Sequence, residues 1–309
     1  MIRIEGVSKR FDETIAVDGM TLEVGAQKLY GLIGPNGAGK TTTLKMLATL
    51  IKPDSGTVTV AGMQLSRDTR GIRRQIGYMP DSFGTFRGMT CGEYLQFFGN
   101  CHGLRGRELV QRIDDVLALT DLGPRRDELA SGLSMGLRQR LSLAKTLLHD
   151  PRVLLLDEPA SGLDPRARIE IRVFLKELAR MGKTIVISSH ILADLEDICT
   201  DVAIIEHGRL VWDGPLAAVT AAGADDSVVL ELEVPEAQRD AARALLEKVE
   251  RVVAVEVVDE RLQVHTATEA NNALLRVLLD AEIQVLHFTR KVRRLEDLFL
   301  DQTKGLAGG

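Results

Sequence analysis

The fold of this 309-residue chain is decided by one stretch, Gly34-Pro35-Asn36-Gly37-Ala38-Gly39-Lys40-Thr41, which fits the pattern G-x-x-x-x-G-K-[ST]. Residues 28 to 33 precede it as a predicted strand, and residues 41 to 51 follow it as a predicted helix with one apolar face. Glycines let the backbone turn tightly, so that successive N–H groups and the positive end of the helix converge on a phosphate group. The stretch therefore predicts a phosphate-binding loop between a strand and a helix.

The side chains of this loop indicate that its ligand is a nucleotide with Mg²⁺. The Lys40 ammonium is expected to reach the β- and γ-phosphates, and the Thr41 hydroxyl is expected to bind the metal. A glycine-rich turn without a ligand is the competing interpretation, and the flanking strand and helix argue against it. The loop residues predicted to contact the nucleotide are Gly34, Pro35, Asn36, Gly37, Ala38, Gly39, Lys40, Thr41 and Thr42.

Two carboxylates follow a second apolar strand. Asp157 and Glu158 come directly after Val153–Leu156, and ligands of α/β folds bind at the carboxyl ends of such strands. Asp157 is expected to hold Mg²⁺, often through water, and Glu158 to activate the attacking water as a general base. Two acids that merely end a strand in solvent are the alternative interpretation. The loop upstream favours the catalytic one.

The remaining pattern predicts an α/β fold. Val153–Leu156 and Thr184–Ile187 are uninterrupted apolar runs, which is typical of parallel strands covered on both faces. A predicted helix, Pro165–Arg180, joins them in a βαβ unit. From about residue 82 to 150 the pattern is helical, and Thr90 with Glu93 has the spacing of a capping box. We therefore expect a mixed, mainly parallel sheet with a helical insertion at about 82–150.

The composition changes near residue 220, where the small and polar residues 220–226 predict a linker. The following order of elements is β-α-β-β-α-β, which is typical of a small ferredoxin-like α+β domain. The predicted domains are 1–220 and 225–309. The elements of the second one are Val228–Val234, Pro235–Val249, Val252–Val258, Leu262–Thr266, Thr268–Ala281 and Ile283–Phe288, with a last helix at Leu295–Gln302.

Composition excludes several classes of protein. No apolar run approaches the roughly 18–20 residues that span a bilayer, and the N-terminus has no apolar signal region. A net charge of −5 argues against a broad basic surface, so no nucleic-acid partner is expected. The three cysteines lack CxxC or metal spacing and are interpreted as reduced packing residues. A cytoplasmic protein is expected, unless a partner holds it at a membrane.

The chain resembles the ATP-binding cassette family from residue 2 to about 215. The features that carry the resemblance are the glycine loop, the two carboxylates and a third motif. Residues 133–140, LSMGLRQR, resemble the signature motif of the family, LSGGQ. Ser134 and Gly136 are kept, whereas Met135 and Leu137 replace a glycine and the glutamine. In the family this segment contacts ATP held by the opposite subunit, so the resemblance implies a dimer. An ordinary capped helix is the alternative.

Four further positions follow from the resemblance. Asp164, in Ser161–Asp164, lies in the D-loop that crosses to the partner subunit, and His190 corresponds to the switch histidine at the γ-phosphate. Phe11 falls where the family stacks an aromatic ring on adenine, with a core aromatic as the alternative. Asp81 replaces the usual Q-loop glutamine and could reach Mg²⁺ through water, or could be only a polar loop residue.

Combined, these positions give a complete predicted site. The predicted catalytic residues are Glu158, His190, Lys40 and Asp81. The predicted Mg²⁺ ligands are Thr41, Asp81 and Asp157. Outside the phosphate loop, the predicted nucleotide contacts are Phe11, Ser134, Gly136 and Asp164.

The acidic Q-loop residue, the altered signature and the α+β tail resemble ATP-binding subunits of exporters of the ABC-2 type, including those for drugs and antibiotics. The resemblance implies ATP hydrolysis with Mg²⁺. It also implies pairing with a second ATP-binding subunit, and we expect a homodimer. It also implies integral membrane permease subunits and a peripheral position at the cytoplasmic face of the membrane. The alternative is a soluble ATPase of this family with a regulatory or repair role. Lys40 and Asp157 are too close in sequence for the long coiled coil of the repair ATPases.

Overall fold

The computed structural model describes residues 1–82, 84, 86, 88–221, 228–250, 252–258, 260–266, 271–290 and 294–304. The chain forms two compact units. The first comprises Met1–Leu216 and Gln302–Gly309, and the second comprises Ala217–Asp301. Most of the predicted linker, from 222 to 226, and the predicted helix start at Thr268 lie outside the described residues.

The described part of the first 221 residues contains ten strands and eight α-helices. The strands are β1 (Ile2–Phe11), β2 (Thr14–Val24), β3 (Leu29–Ile33), β4 (Ser55–Val60), β5 (Met63–Gln64), β6 (Ile76–Met79), β7 (Val153–Asp157), β8 (Thr184–Ser189), β9 (Asp201–Glu206) and β10 (Arg209–Pro215). The helices are α1 (Lys40–Leu47), α2 (Thr69–Gln75), α3 (Cys91–Cys101), α4 (Gly106–Leu119), α5 (Met135–Leu147), α6 (Pro165–Arg180), α7 (Leu192–Glu196) and α8 (Leu216–Ala221).

A six-stranded sheet forms the centre of the first unit, in the order β10-β9-β3-β8-β7-β6. Its neighbours pair in parallel except β10, which is antiparallel to β9. Every residue of β3, β7 and β8 is buried, as expected for apolar strands covered on both faces. Because these strands are parallel neighbours, their carboxyl ends meet at one edge of the sheet. The loop after β3, the carboxylates after β7 and His190 after β8 therefore converge there.

A second, antiparallel sheet has the order β2-β1-β4-β5. The helices α3, α4 and α5 lie between β6 and β7 in the chain, as predicted for the helical insertion. Thr90 caps α3 with a complete capping box: its hydroxyl accepts from the Glu93 N–H at 3.2 Å, and the Glu93 carboxylate accepts from the Thr90 N–H at 2.9 Å. The expected mixed, mainly parallel α/β fold with a helical insertion is confirmed.

The first helix is shorter than expected. It ends at Leu47 rather than Ile51, because Thr49 adopts a left-handed φ of 62°. The N–H groups of Leu50 and Ile51 both donate to the Lys45 carbonyl, at 2.9 and 3.3 Å, which closes the helix in the manner of a left-handed cap. The apolar spacing continues beyond this turn, which explains why periodicity overestimates the length.

The second unit is a four-stranded antiparallel sheet with helices and the order β12-β13-β11-β14. Beyond residue 228 the elements are β11 (Val228–Glu233), α9 (Arg239–Leu246), β12 (Val252–Val258), β13 (Arg261–Thr266), α10 (Asn271–Asp280), β14 (His287–Arg290) and α11 (Leu295–Lys304). This is the predicted β-α-β-β-α-β succession. Among the described residues, no helix combines the length and apolar character needed to cross a membrane.

The last strand of this sheet begins four residues later than the predicted Ile283. The Ile283 N–H donates to the Leu278 carbonyl at 2.9 Å and closes α10, while the Gln284 N–H donates to the Gln238 side chain at 2.9 Å. Both groups are thereby withdrawn from the ladder, although the Ile283 side chain is buried in the core.

Candidate nucleotide-binding and catalytic site

The loop between β3 and α1 turns through two glycines whose conformation and surroundings exclude a side chain. Gly39 has a left-handed φ of 103°, and a Cβ there would lie 2.4 Å from the Ala16 carbonyl oxygen. A Cβ at Gly34 would lie 2.2 Å from the Ile205 carbonyl oxygen. The glycines therefore let the loop pass against the hairpin of β1 and β2 and against β9.

Lys40 points back into the concave side of this loop. It is only 5% exposed, and its Nζ donates to the carbonyl oxygens of Gly34 at 2.6 Å and Pro35 at 3.1 Å. The ammonium also lies 4.0 Å from Glu158 Oε1. Burial lowers the pKa of Lys40, and the charges of Glu158 and Asp157 act in the opposite direction. A buried ammonium is thus held where it faces the carboxylates that follow β7.

Asp157 links the phosphate-loop helix to two strands. Its side chain is buried, and Oδ1 accepts from the Thr41 hydroxyl at 3.0 Å and from the Ser188 hydroxyl at 2.7 Å. Hydroxyl and carboxylate oxygens are ligands that Mg²⁺ prefers. The structure therefore brings the predicted metal ligands Thr41 and Asp157 together in a donor set that suits this metal.

Ser188 is a site residue that the sequence analysis did not identify. Besides its bond to Asp157, its Oγ accepts from the Glu158 N–H at 3.0 Å. It lies opposite Asp157 in the β7–β8 register. A serine near the end of a buried strand, two residues before His190, could have indicated this role. Ser188 therefore holds the side chain of Asp157 and the backbone of Glu158.

Glu158 and His190 form a pair above the strand ends. Glu158 has a left-handed φ of 49°, which turns its side chain away from the direction of β7. His190 Nδ1 donates to Glu158 Oε2 at 2.9 Å. Burial raises the pKa of Glu158, while His190 and Lys40 lower it. A partly buried carboxylate with a raised pKa is the kind of group that acts as a general base.

These groups surround a cavity of about 350 Å³, here called the loop cleft. It brings Asp81 and Glu158 next to the phosphate loop and to the start of β2. Its lining residues are Thr14, Ala16, Asn36, Gly37, Ala38, Gly39, Lys40, Thr41, Thr42, Asp81 and Glu158.

Phe11 lies beside the loop cleft without lining it. It is the last residue of β1 and pairs with Thr14, which does line the cleft. The ring is 43% exposed, with Lys9 Nζ 5.4 Å from its centroid. The alternative interpretation of Phe11 as a core aromatic is therefore wrong. A contact with adenine stays a prediction.

The signature motif and the D-loop form a separate cavity of about 480 Å³, here called the signature cleft. Ser134 and Asp164 are the N-caps of α5 and α6: Ser134 Oγ accepts from the Leu137 N–H at 3.4 Å, and Asp164 Oδ1 accepts from the Ala167 N–H at 3.0 Å. Gly136 lies between them in the cleft wall. Within the described part of the chain, no residue lines both clefts. One chain thus separates Ser134, Gly136 and Asp164 from the phosphate loop.

The fold and the loop cleft define a nucleotide-binding protein with a phosphate loop, and comparisons with known proteins narrow this class. The model of a family described as ABC transporter matches residues 17–161. A Nod factor export ATP-binding protein I from Paraburkholderia xenovorans is 34% identical over 98% of this chain and 96% of its own length. A daunorubicin resistance ATP-binding protein, DrrA3, from Streptomyces coeruleorubidus is 32% identical over 98% of this chain and 95% of its own length.

A solved structure described as the ATP-binding subunit of an ABC transporter has a TM-score of 0.65 and 28% identity, covering 72% of this chain and 93% of that one. The chain therefore belongs to the ATP-binding subunits of ABC transporters, a family whose members bind and hydrolyse ATP. The predicted family, fold and ATPase class are confirmed. The relatives named above also bear out the resemblance to exporter subunits.

Proposed function

We propose that this chain hydrolyses ATP as one of two identical subunits that close over two ATP molecules and drive an exporter. ATP-binding subunits of this family work as dimers with membrane components. The observation that carries the proposal is the division of the predicted nucleotide contacts between two clefts. A second copy would supply Ser134, Gly136 and Asp164 to the ATP that the first copy holds at Lys40.

The loop cleft supports binding of the triphosphate. The Lys40 ammonium would exchange its two carbonyl acceptors for phosphate oxygens, and loop N–H groups would hold the same anion together with the start of α1. Thr41 and Asp157 would hold Mg²⁺, with Asp81 reaching it through water, and the metal would neutralise charge on the β- and γ-phosphates. Phe11 would stack on the adenine.

The carboxylate after β7 supports the hydrolytic step. Glu158 would take the proton of the water that attacks the γ-phosphorus, while the bond to the leaving ADP oxygen breaks. Its raised pKa makes it a better proton acceptor than an ordinary glutamate. His190 orients Glu158 through the 2.9 Å hydrogen bond, and Ser188 holds the Glu158 backbone.

The relatives support the transport role. Their names associate them with Nod factor export and daunorubicin resistance. We propose that this chain likewise associates with integral membrane permease subunits at the cytoplasmic face of the membrane. Closure of the dimer would move the permeases, and hydrolysis would reset them. Fractionation of tagged protein tests this: the chain should sediment with membranes when its permease is present, whereas a soluble regulatory ATPase would stay in the supernatant in both cases.

The catalytic proposal is tested by Glu158→Gln. The variant should retain ATP binding, lose hydrolysis by about 10²–10⁴-fold, and accumulate as a closed ATP-filled dimer, measured by light scattering with ATP and Mg²⁺. Glu177→Gln, on the exposed part of α6, is the matched control and should hydrolyse like the wild type. Wild-type hydrolysis by Glu158→Gln would show that another group is the base.

A further inference from the structure

Met135 occupies a position where the family's signature motif has glycine, and its side chain reaches the D-loop. A Cβ built on Gly162 would lie 2.4 Å from Met135 Cε and 3.1 Å from Sδ. The end of the methionine thus lies directly against the Gly162 α-carbon. Met135 is 49% exposed and both residues line the signature cleft.

The two positions are complementary in size. Gly162 has a left-handed φ of 70°, so a larger residue there would be strained as well as blocked by Met135. A long side chain in the signature motif therefore faces a residue without a side chain in the D-loop. Methionine is unbranched and adaptable, so it can keep this contact while the two segments shift slightly.

Two further contacts join the same pair of segments. Gln139, which is buried in α5, donates from Nε2 to the Pro159 carbonyl oxygen at 2.6 Å. Gly136 lies next to Leu163, whose Cδ2 is 3.9 Å from the position of a Cβ on Gly136. The start of α5 and the segment 159–163 thus meet at three levels. The contact of Met135 with Gly162 lies at the wall of the cleft, beside that of Gly136 with Leu163.

We infer that Met135 is a positioning residue that holds the D-loop against the signature motif of the same copy. When Ser134 and Gly136 contact the ATP bound by a second copy, Met135 therefore also fixes the D-loop of its own copy. The inference rests on the proposed function, because it needs ATP bound between two copies. Without the methionine side chain, Gly162 loses the apolar contact that holds it against α5. The D-loop is then set less firmly when the dimer closes.

The test compares Met135→Ala with Met135→Leu and with Met181→Ala. Alanine is well tolerated in the first turn of a helix, so Met135→Ala removes the contact without weakening α5. Leucine restores an apolar side chain of similar volume. Met181 follows α6, is 57% exposed and lines neither cleft, which makes it the matched control for loss of an exposed methionine.

We expect Met135→Ala to lower kcat by about three- to tenfold while the ATP affinity of single copies stays unchanged. In a Glu158→Gln background, the same variant should need correspondingly more ATP to form the closed dimer. Met135→Leu should remain within about twofold of the wild type in both measurements, and Met181→Ala should be unchanged.

Wild-type kcat and dimer formation by Met135→Ala would overturn the inference. Equal impairment by Ala and Leu would also overturn it, since a restored apolar contact would then not matter. If the Glu158→Gln protein with Met135 intact forms no ATP-dependent dimer, the proposed function itself is wrong, and the inference is wrong with it.

Discussion

The loop cleft and the signature cleft differ in how far one chain completes them. In the loop cleft Lys40 is buried, Asp157 behind it is buried, and Glu158 is partly buried. All three already have hydrogen-bond partners within the chain: Lys40 bonds to two carbonyls, Asp157 to two hydroxyls and Glu158 to His190. In the signature cleft, Ser134 and Asp164 are exposed and each caps only its own helix. Buried polar groups must find partners within the chain, whereas exposed ones can take theirs from another molecule.

This difference indicates which cleft is already ordered by the folding of a single chain. The hydrogen bonds of the loop cleft hold Lys40, Asp157 and Glu158 in place within a single chain. The two helix N-termini of the signature cleft carry positive partial charge at a surface open to solvent, where an anion can reach them. Under the proposed function, the second copy's triphosphate is that anion.

The largest expected effect comes from disabling one cleft in each of two proteins and mixing them. Lys40→Ala removes the cation of the loop cleft, and Gly136→Glu places a carboxylate in the signature cleft, where a Cβ meets only ordinary contacts. Each variant alone should lose hydrolysis by about 10² or more. Mixed dimers contain one intact composite site, so a mixture should recover roughly a quarter of the wild-type sites. The measurement is phosphate release.

The matched control mixes Lys40→Ala with Glu158→Gln. Both changes lie in the loop cleft, so every composite site of a mixed dimer carries one of them, and no activity should return. If the first mixture is as inactive as the control mixture, the two clefts do not act across copies.

A smaller effect is expected on ATP binding by single copies. Lys40→Ala removes a buried charged donor and should weaken ATP binding by about 10- to 100-fold in a titration. Lys45→Ala, on the last turn of the same helix and outside the cleft, should bind like the wild type. Ser134→Ala should also leave single-copy affinity unchanged. Weaker binding by Ser134→Ala would contradict the separation of the clefts.

Local pattern predicted most of the fold and the loop cleft. The strand, glycine loop and helix around Lys40 follow from periodicity and glycine placement within one short segment. The Thr90 capping box follows from spacing alone. The C-terminal end of α1 and the start of β14 could not be predicted, because they depend on a left-handed Thr49 and on hydrogen bonds that compete with the ladder.

The undetected parts of the site arise from contacts between distant segments. Ser188 becomes a partner of Asp157 only because β7 and β8 pair in that register. The contact of Met135 with Gly162 likewise joins segments that are separated in sequence, and no spacing rule describes it. The sequence indicates which residues are candidates for the site. Their contact partners become evident only in the folded structure, where the sheet and helices pack together.

The contact between the helical insertion and the central sheet gives a pH-dependent prediction of intermediate size. His102 caps the end of α3 and stacks on His149, which follows α5, with ring centroids 3.8 Å apart. His149 Nε2 donates to the Ile76 carbonyl oxygen at 2.8 Å, so the pair connects the helical insertion with the sheet. Burial, then His102, lower the pKa of His149 to about 4. The hydrogen bond to the Ile76 carbonyl and the charge of Asp150 act to raise this pKa, whereas Arg112 acts to lower it.

Because the folded pKa of His149 lies below its ordinary 6.5, the unfolded chain binds this proton more tightly. Stability from this group is therefore complete above about pH 6.5 and is lost as the pH falls towards 4. Between pH 7.5 and 5, His149 should lower the free energy of unfolding by at most about 2 kcal/mol, measured by urea denaturation. His149→Gln keeps an N–H for the Ile76 carbonyl but cannot ionise, so its free energy of unfolding should fall less over the same pH range. An equal fall in the free energy of unfolding of both proteins would show that His149 does not cause it.

The smallest effect is expected from Thr90→Ala, which removes the cap of α3 in the helical insertion. Alanine lacks the hydroxyl that accepts from the Glu93 N–H but keeps the backbone N–H that donates to the Glu93 carboxylate. Losing such a cap costs about 1 kcal/mol of stability. Hydrogen exchange should quicken at the start of α3, while single-copy ATP affinity stays unchanged because the loop cleft is built from other elements. Thr90→Ser retains the hydroxyl and should behave like the wild type. Weakened ATP binding by Thr90→Ala would show that the loop cleft depends on the insertion.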